Sequence, residues 1–169
     1  MFKTFDPTQT SELLLLRHGW LNPEFELTGG TDSYGTLSYN GITRRTAFAE
    51  SANNRWVFRF KELFSRTILI CDQNGVVIGE VTREWFSRRR KLALRTGFRA
   101  EFYRPFIFSW NYIWESEGYG QIMEIKRYPL NLKDVITIKQ TMTPPALIPL
   151  LIFLGAHLTI LRRRRRAAR

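Results

Sequence analysis

Short runs of alternating hydrophobic and polar residues occupy most of the first 140 positions. In the clearest run, Trp56, Phe58 and Phe60 share one face of a strand, and the other face holds Arg55, Val57 and Arg59. Runs rich in aromatic and β-branched residues, separated by Gly, Asn, Asp and Ser, predict an all-β fold. We predict twelve strands, at residues 12–17, 24–28, 34–39, 43–50, 55–60, 65–71, 76–82, 91–95, 98–103, 106–114, 121–127 and 135–140.

The segments between these strands contain residues that tolerate the backbone angles of tight turns. They lie at residues 29–32, 40–41, 53–54, 72–75 and 96–97. Neighbouring strands are therefore expected to pair as antiparallel hairpins.

An internal repeat supports this interpretation. The run Tyr34-Gly-Thr-Leu37, followed by Arg44 and Arg45, recurs as Ile78-Gly-Glu-Val81, followed by Arg88 and Arg89, and Phe58 then corresponds to Phe102. A third, shorter copy is predicted at residues 119–122. Repetition of hairpin units is typical of a barrel, although β-hairpins also resemble one another by chance.

The last element is different in kind, because residues 144–161 are apolar on every side and lead directly into five consecutive arginines. Such a helix must be enclosed by protein or by lipid. Thr143 is a candidate cap, and prolines suit the first turn. The length fits both the height of a barrel and, barely, a bilayer. Enclosure is favoured, because a membrane span would carry the arginines across the bilayer.

Length and composition fit one domain, 1–161, with a basic tail at 162–169. The net charge of +11 is concentrated late in the chain, where six arginines occupy the last eight positions, so anionic lipids or other polyanions are plausible partners. The single cysteine, Cys71, allows no internal disulfide, and no secretory signal is evident. We expect a cytoplasmic monomer, peripheral to a membrane, with a single-pass protein anchored through 144–161 as the alternative.

These features together resemble the tubby C-terminal-like superfamily, and within it the LURP-one-related and phospholipid scramblase-like barrels. The most characteristic piece is Asp72-Gln-Asn-Gly75 followed by Val77-Ile-Gly79, and the resemblance extends over nearly the whole chain. It implies a closed barrel around the hydrophobic C-terminal helix and, for some members, phosphoinositide binding or membrane association. The chain lacks the acidic calcium-binding loop of the scramblase pattern, since Asp72 is an isolated acid.

Catalytic chemistry finds little support in the sequence. His18 and His157 have no ligand-spaced partners, Cys71 lies in an apolar strand, and the glycines form no phosphate loop before a helix. We therefore expect neither an enzyme nor a cofactor or metal.

The candidate binding site is a basic hairpin in which arginines alternate with aromatic residues. Paired guanidinium groups suit phosphate oxygens, and aromatic rings suit the boundary of lipid headgroups. The residues are Arg83, Trp85, Arg88, Arg89, Arg90 and Lys91, with Arg44 and Arg45 in the equivalent hairpin of the first repeat. A solvated hairpin, a protein-interaction surface and a nucleic-acid surface are the alternatives, the last disfavoured because a filled barrel has no obvious groove.

Overall fold

The computed structural model describes residues 1–19, 23–40, 45–128, 133–139 and 142–167, with side chains up to Arg162. The chain forms one closed barrel of twelve antiparallel strands around a single helix, as predicted. The elements are β1 Glu12–His18, β2 Glu24–Gly29, β3 Asp32–Tyr39, β4 Ala47–Ser51, β5 Arg55–Phe60, β6 Ile68–Asp72, β7 Val77–Thr82, β8 Arg90–Leu94, β9 Arg99–Tyr103, β10 Asn111–Ser116, β11 Gly120–Arg127, β12 Lys133–Ile138 and α1 Leu147–Ala167.

Each strand pairs with its neighbours in the sequence, and β12 closes the barrel by pairing with β1. Closure leaves no free sheet edge, which removes the usual route by which strands pair with other chains. Inward side chains alternate with outward ones, as in β5, where Trp56 and Phe58 are buried and Arg55 and Arg59 are exposed. The alternation predicted from the sequence therefore separates the core from the surface.

The helix fills the barrel. Every residue from Ile148 to Leu161 is buried. The strands that surround α1 supply a matching set of inward residues, including Leu13, Phe58 and Trp114. Among the described residues, no helix is both long enough and apolar enough to cross a membrane.

A close contact between helix and wall forms at Gly155. A Cβ there would lie 2.9 Å from Trp114 Nε1 and 2.8 Å from Ile125 Cδ1, so only glycine allows the two surfaces to approach this closely. Trp114 Nε1 donates a hydrogen bond of 2.8 Å to the carbonyl oxygen of Leu151, one turn earlier in the helix. The indole thus joins the wall to the helix backbone and satisfies its own N–H in an apolar interior.

Two expectations for the helix were wrong. It begins at Leu147 rather than at residue 144, because the amides of Leu147 and Ile148 bond to Pro144 and Pro145 in a tight turn. Thr143 does not act as a cap, since its Oγ1 is buried without a hydrogen-bond partner in the described part of the chain. At the other end the helix continues into the predicted basic tail, as far as Ala167.

The strand prediction was wrong in one important place. Residues 106–110 belong to the connection before β10, which begins only at Asn111. Their apolar side chains led to the prediction of a strand, but in the structure Phe106 and Phe108 are exposed. Smaller errors occur at residues 45–46, before β4, and 65–67, before β6, whereas the predicted strand residues 43–44 and 140 lie outside the described residues.

A repeat of β-bulges confirms part of the predicted internal symmetry. Strands β3, β7 and β11 each contain one bulged residue that has no partner in the register with the preceding strand. These residues are Tyr34, Ile78 and Ile122, spaced 44 residues apart. The first two lie beside the glycines of the predicted repeat. The third predicted copy, at 119–122, is out of register by three residues, because Met123 rather than Gly120 follows the bulged position.

We predict that Gly35→Ala destabilises the barrel by about 3 kcal/mol, at the upper end of typical overpacking costs. A Cβ on Gly35 would collide with the backbone oxygen of Glu50 on β4, and a backbone atom cannot move aside as a side chain can. Chemical denaturation measures the effect. Gly118→Ala is the control, because a Cβ there meets nothing within 4 Å; equal stability of the two variants would contradict the prediction.

We predict that His157 makes the protein less stable as the pH falls. Burial, with a smaller contribution from nearby Arg90, lowers the pKa of His157 to about 3. The ring lies between Tyr39 and Phe58, with Nδ1 3.0 Å from the Tyr39 hydroxyl. Below the ordinary histidine pKa of about 6.5, His157 binds a proton in the unfolded chain but stays neutral in the folded chain. The free energy of unfolding therefore decreases as the pH falls.

Between pH 7 and pH 5, where carboxylates hardly titrate, this difference amounts to about 2 kcal/mol. Urea unfolding at the two pH values should show the loss in the wild type and a much flatter response in His157→Phe. His18→Gln is the control, because that exposed histidine has no such environment. A flat response in the wild type would show that the ring is not held neutral.

Candidate functional site

The two ends of the barrel are built from different connections. Because the strands alternate in direction, all connections that follow even-numbered strands lie at one end. Five of these span only two to four residues, and each contains Gly or Asn. The connections that follow odd-numbered strands lie at the opposite end, which we call the mouth, and α1 reaches this end with its arginines.

Three consecutive connections at the mouth, here called the aromatic tips, are long and apolar. They span residues 61–67, 83–89 and 104–110, seven residues each. The strands that precede them begin at Arg55, Val77 and Arg99, so the hairpin unit repeats every 22 residues. At the same spacing, Phe64, Phe86 and Phe108 are each followed by a serine.

The three tips fold in the same way. In each, the serine amide closes a β-turn onto the carbonyl three residues earlier, with N···O distances of 3.2 to 3.3 Å. The serine Oγ then accepts a hydrogen bond of 3.0 Å from the backbone amide two residues later. These serines are Ser65, Ser87 and Ser109. Local hydrogen bonds of this kind fix the turn without help from the core.

This geometry places an apolar pair at the apex of every tip. The pairs are Leu63 with Phe64, Trp85 with Phe86, and Ile107 with Phe108. The three phenylalanines are 90% or more exposed. Of the twelve large hydrophobic side chains exposed in the described residues, eight belong to the tips. Isolated exposed apolar residues are normal, but a concentration on one end indicates a binding surface.

Basic residues surround these apolar pairs. The guanidinium of Arg66, in the first tip, stacks over the indole of Trp85, in the second, at 3.7 Å from the ring centre. Arg45 lies beneath the first tip, where it donates to the carbonyl of Leu63 and stacks over Phe60. Arg104 makes the equivalent bond to Ile107 in the third tip. Arginines therefore support the turns while keeping positive charge at the mouth.

The structure separates the residues predicted as a site. Trp85 and Arg88 are exposed in the second tip, and Arg83 supports that tip through Nε, which donates to the carbonyl of Ser87 at 3.2 Å. Arg45 lies at the neighbouring tip, as described above. Arg44 falls outside the described residues.

The remaining three predicted residues are either paired with glutamates or buried. Arg89 lies on the barrel flank, 2.6 Å from Glu101 and stacked over Tyr103, and its hydrogen bond to Glu101 raises its pKa. Lys91 pairs with Glu84 at 2.7 Å, which raises the pKa of the lysine. Arg90 points into the barrel and is buried. The predicted run of adjacent cations is thus divided among three surroundings.

Sequence reasoning missed most of the aromatic surface. It left out the first tip and assigned the third tip to a strand. The available signal was the recurrence of Phe-Ser at 22-residue spacing, at residues 64, 86 and 108. A two-residue apolar run followed by a turn-forming serine, repeated at a fixed spacing, is typical of a repeated hairpin tip.

A cavity of about 560 Å³ lies at the mouth between the second and third tips and the end of the helix. It is lined by Arg88, Arg104 and Arg162 and by the apolar residues 105–108. Inside the mouth, Arg127 and Asp134 form a buried ion pair, with Nε 3.0 Å from Oδ2, although the Nε–H direction does not give a hydrogen bond.

The described residues contain no cluster of three or more His, Cys, Asp or Glu side chains suited to a metal.

No family model, curated protein or solved structure matches this chain. Function must therefore be argued from the geometry of the mouth.

Proposed function

We propose that the protein is a non-enzymatic barrel that binds anionic phospholipid membranes through its mouth. The observation that carries the proposal is the set of three identically folded tips, each with an exposed apolar pair, at the barrel end that also bears the arginines. Apolar side chains on short rigid turns suit insertion among headgroups, where aromatic residues are favoured. A lipid surface is the occupant that covers all three tips at once.

Charge at the mouth supports an anionic rather than a neutral surface. Apart from Arg89, which pairs with Glu101 on the flank, the three tips contain five Lys and Arg residues against two Glu residues, and the helix adds five consecutive arginines from position 162. Each basic residue near an anionic leaflet contributes about 1 kcal/mol, and the contribution weakens with salt. Basic and apolar residues would thus act together, one drawing the barrel to the surface and the other holding it there.

The tubby-like, LURP-one-related or scramblase-like assignment is likewise a proposal. It is supported by the closed barrel of twelve antiparallel strands around an apolar C-terminal helix, the architecture that the sequence resemblance implies. A monomer is proposed because the closed barrel has no free edge for strand pairing.

We predict that replacing Phe64, Phe86 and Phe108 together by serine lowers binding to anionic vesicles at least about 100-fold. Each phenyl ring withdrawn from lipid removes roughly 1.5–3 kcal/mol, even if insertion is partial. Folding should be unaffected, because all three rings are exposed at equivalent turn positions. Co-sedimentation with phosphatidylcholine vesicles containing phosphatidylserine measures the partition.

The control is the double variant Phe48→Ser, Val76→Ser, which removes exposed apolar side chains from the barrel wall and the opposite end. It should bind as the wild type does. Undiminished binding of the triple variant would refute docking through the tips. Equal binding to pure phosphatidylcholine would refute the anionic preference, and binding only to single-stranded DNA would favour the nucleic-acid alternative.

A further inference from the structure

We infer that the barrel end opposite the mouth contains a binding site for a zwitterionic ligand with an apolar body, the chemistry of an apolar amino acid or of a short peptide that begins with one. The site is a cavity of about 660 Å³, here called the turn cavity, which is lined by residues 96–99, residues 116–119, Pro144 and Leu147. Its volume is within the range of roughly 300–1,000 Å³ typical of small-ligand sites. Membrane docking is not required for it, because the turn cavity and the aromatic tips lie at opposite ends of the barrel.

The apolar core reaches the surface at the turn cavity. Among the described residues, five hydrophobic side chains are only partly buried yet pack against the core. Three of them, Phe98, Tyr119 and Leu147, line this one cavity. The ring centres of Phe98 and Tyr119 are 6.1 Å apart, so the two rings form neighbouring parts of one wall. An apolar group bound against this wall would be removed from water together with the exposed parts of both rings.

A buried hydroxyl group provides a second, independent indication of a ligand. Ser116, the last residue of β10, is only 5% exposed, and it lines the turn cavity. Its hydroxyl forms no hydrogen bond in the described part of the chain and, unlike the enclosed hydroxyl of Thr143, it keeps accessible surface. Most buried polar groups have a hydrogen-bond partner, because burial without one is costly. The Ser116 hydroxyl therefore lacks a partner that a polar ligand atom in the cavity would supply.

Two exposed side chains of opposite charge complete the site. Arg99 and Glu117 both line the turn cavity, and neither forms an ion pair or a side-chain hydrogen bond with the residues that the structure describes. On the flank, by contrast, Arg89 and Lys91 are each paired with a glutamate. A guanidinium fork suits a carboxylate, and a carboxylate suits an ammonium group. A zwitterion is the ligand that would use both charges at once.

The turn cavity continues onto the flank of the barrel. A second cavity, of about 710 Å³, shares Arg99, Ser116 and Glu117 with it. The other charged residues that line this second cavity are Glu80, Glu101, Glu115 and Lys91. Carboxylates are therefore in excess along the flank, which favours a cationic group on any ligand that extends there. A free amino acid would fill the turn cavity alone, whereas a peptide with a basic second residue would use both cavities.

The test is a titration of the isotopically labelled full chain with four small ligands, followed by the backbone amide signals in nuclear magnetic resonance spectra. The ligands are phenylalanine, phenethylamine, which lacks the carboxylate, 3-phenylpropionate, which lacks the ammonium group, and the dipeptide phenylalanyl-lysine. Gly97 and Gly118 are the reporters, because both line the turn cavity. Gly75 is the control reporter, because it lies in the turn between β6 and β7 at the same end but does not line the cavity.

Phenylalanine should shift the signals of Gly97 and Gly118 in a saturable way and leave that of Gly75 in place. It should bind about tenfold more tightly than phenethylamine or 3-phenylpropionate, because each of these lacks one charged contact. Arg99→Gln should remove the advantage over phenethylamine, and Glu117→Gln the advantage over 3-phenylpropionate. Both substitutions are at exposed positions, so folding should be unaffected.

The control variant is Arg95→Gln/Glu12→Gln, which removes the same two charges from exposed residues that do not line the cavity. It should bind phenylalanine as the wild type does, whereas Ser116→Ala should weaken the binding of phenylalanine several-fold.

The ligands also separate the two sources of this chemistry. Tighter binding of phenylalanyl-lysine than of phenylalanine would assign the site to peptides, and the reverse order would assign it to free amino acids. Equal binding of phenylalanine and phenethylamine by the wild type would overturn the recognition of a zwitterion. Unchanged signals of Gly97 and Gly118 with all four ligands would overturn the site itself.

Discussion

The enclosure of an apolar helix is the constraint on which the rest of this structure depends. A helix without a polar face is stable in water only if it is surrounded on all sides, and twelve short strands form a ring that does this. The helix in turn supplies the core that the ring needs. At Gly155 and Trp114 the fit is close enough for the wall to form a hydrogen bond with the helix backbone, so neither part has a stable interior without the other.

Repetition explains how the chain makes such a ring and why one end of it is apolar. A hairpin unit of 22 residues places the three seven-residue tips at the mouth, and a bulge in every second unit recurs at 44 residues. Any feature copied with the unit therefore appears on the same end. The serine-closed turns are such a feature, and they expose an apolar pair three times side by side. The apolar surface at the mouth therefore depends on the same local hydrogen bonds formed in each of the three tips.

The sequence allowed the architecture to be predicted better than the site. Period-two alternation and turn residues located all twelve strands, because burial on one face constrains residue type at every second position. The aromatic tips do not follow this relation between residue type and burial, because their apolar side chains are exposed. Phe106 and Phe108 are of a residue type usually found in cores, so the third tip was predicted as a strand. Arg88, Arg89 and Arg90 are adjacent in the chain, yet they face the mouth, a flank carboxylate and the interior. Single-residue steps of the backbone from the second tip into β8 decide such directions, and composition does not record them.

The same helix that completes the core also determines the electrostatics of the mouth. Its apolar length ends at Leu161, where the barrel ends, and the arginines begin at the next residue. Cations at a helix C-terminus are stabilised by the helix dipole, so this arrangement favours the seated helix as well as a positive mouth.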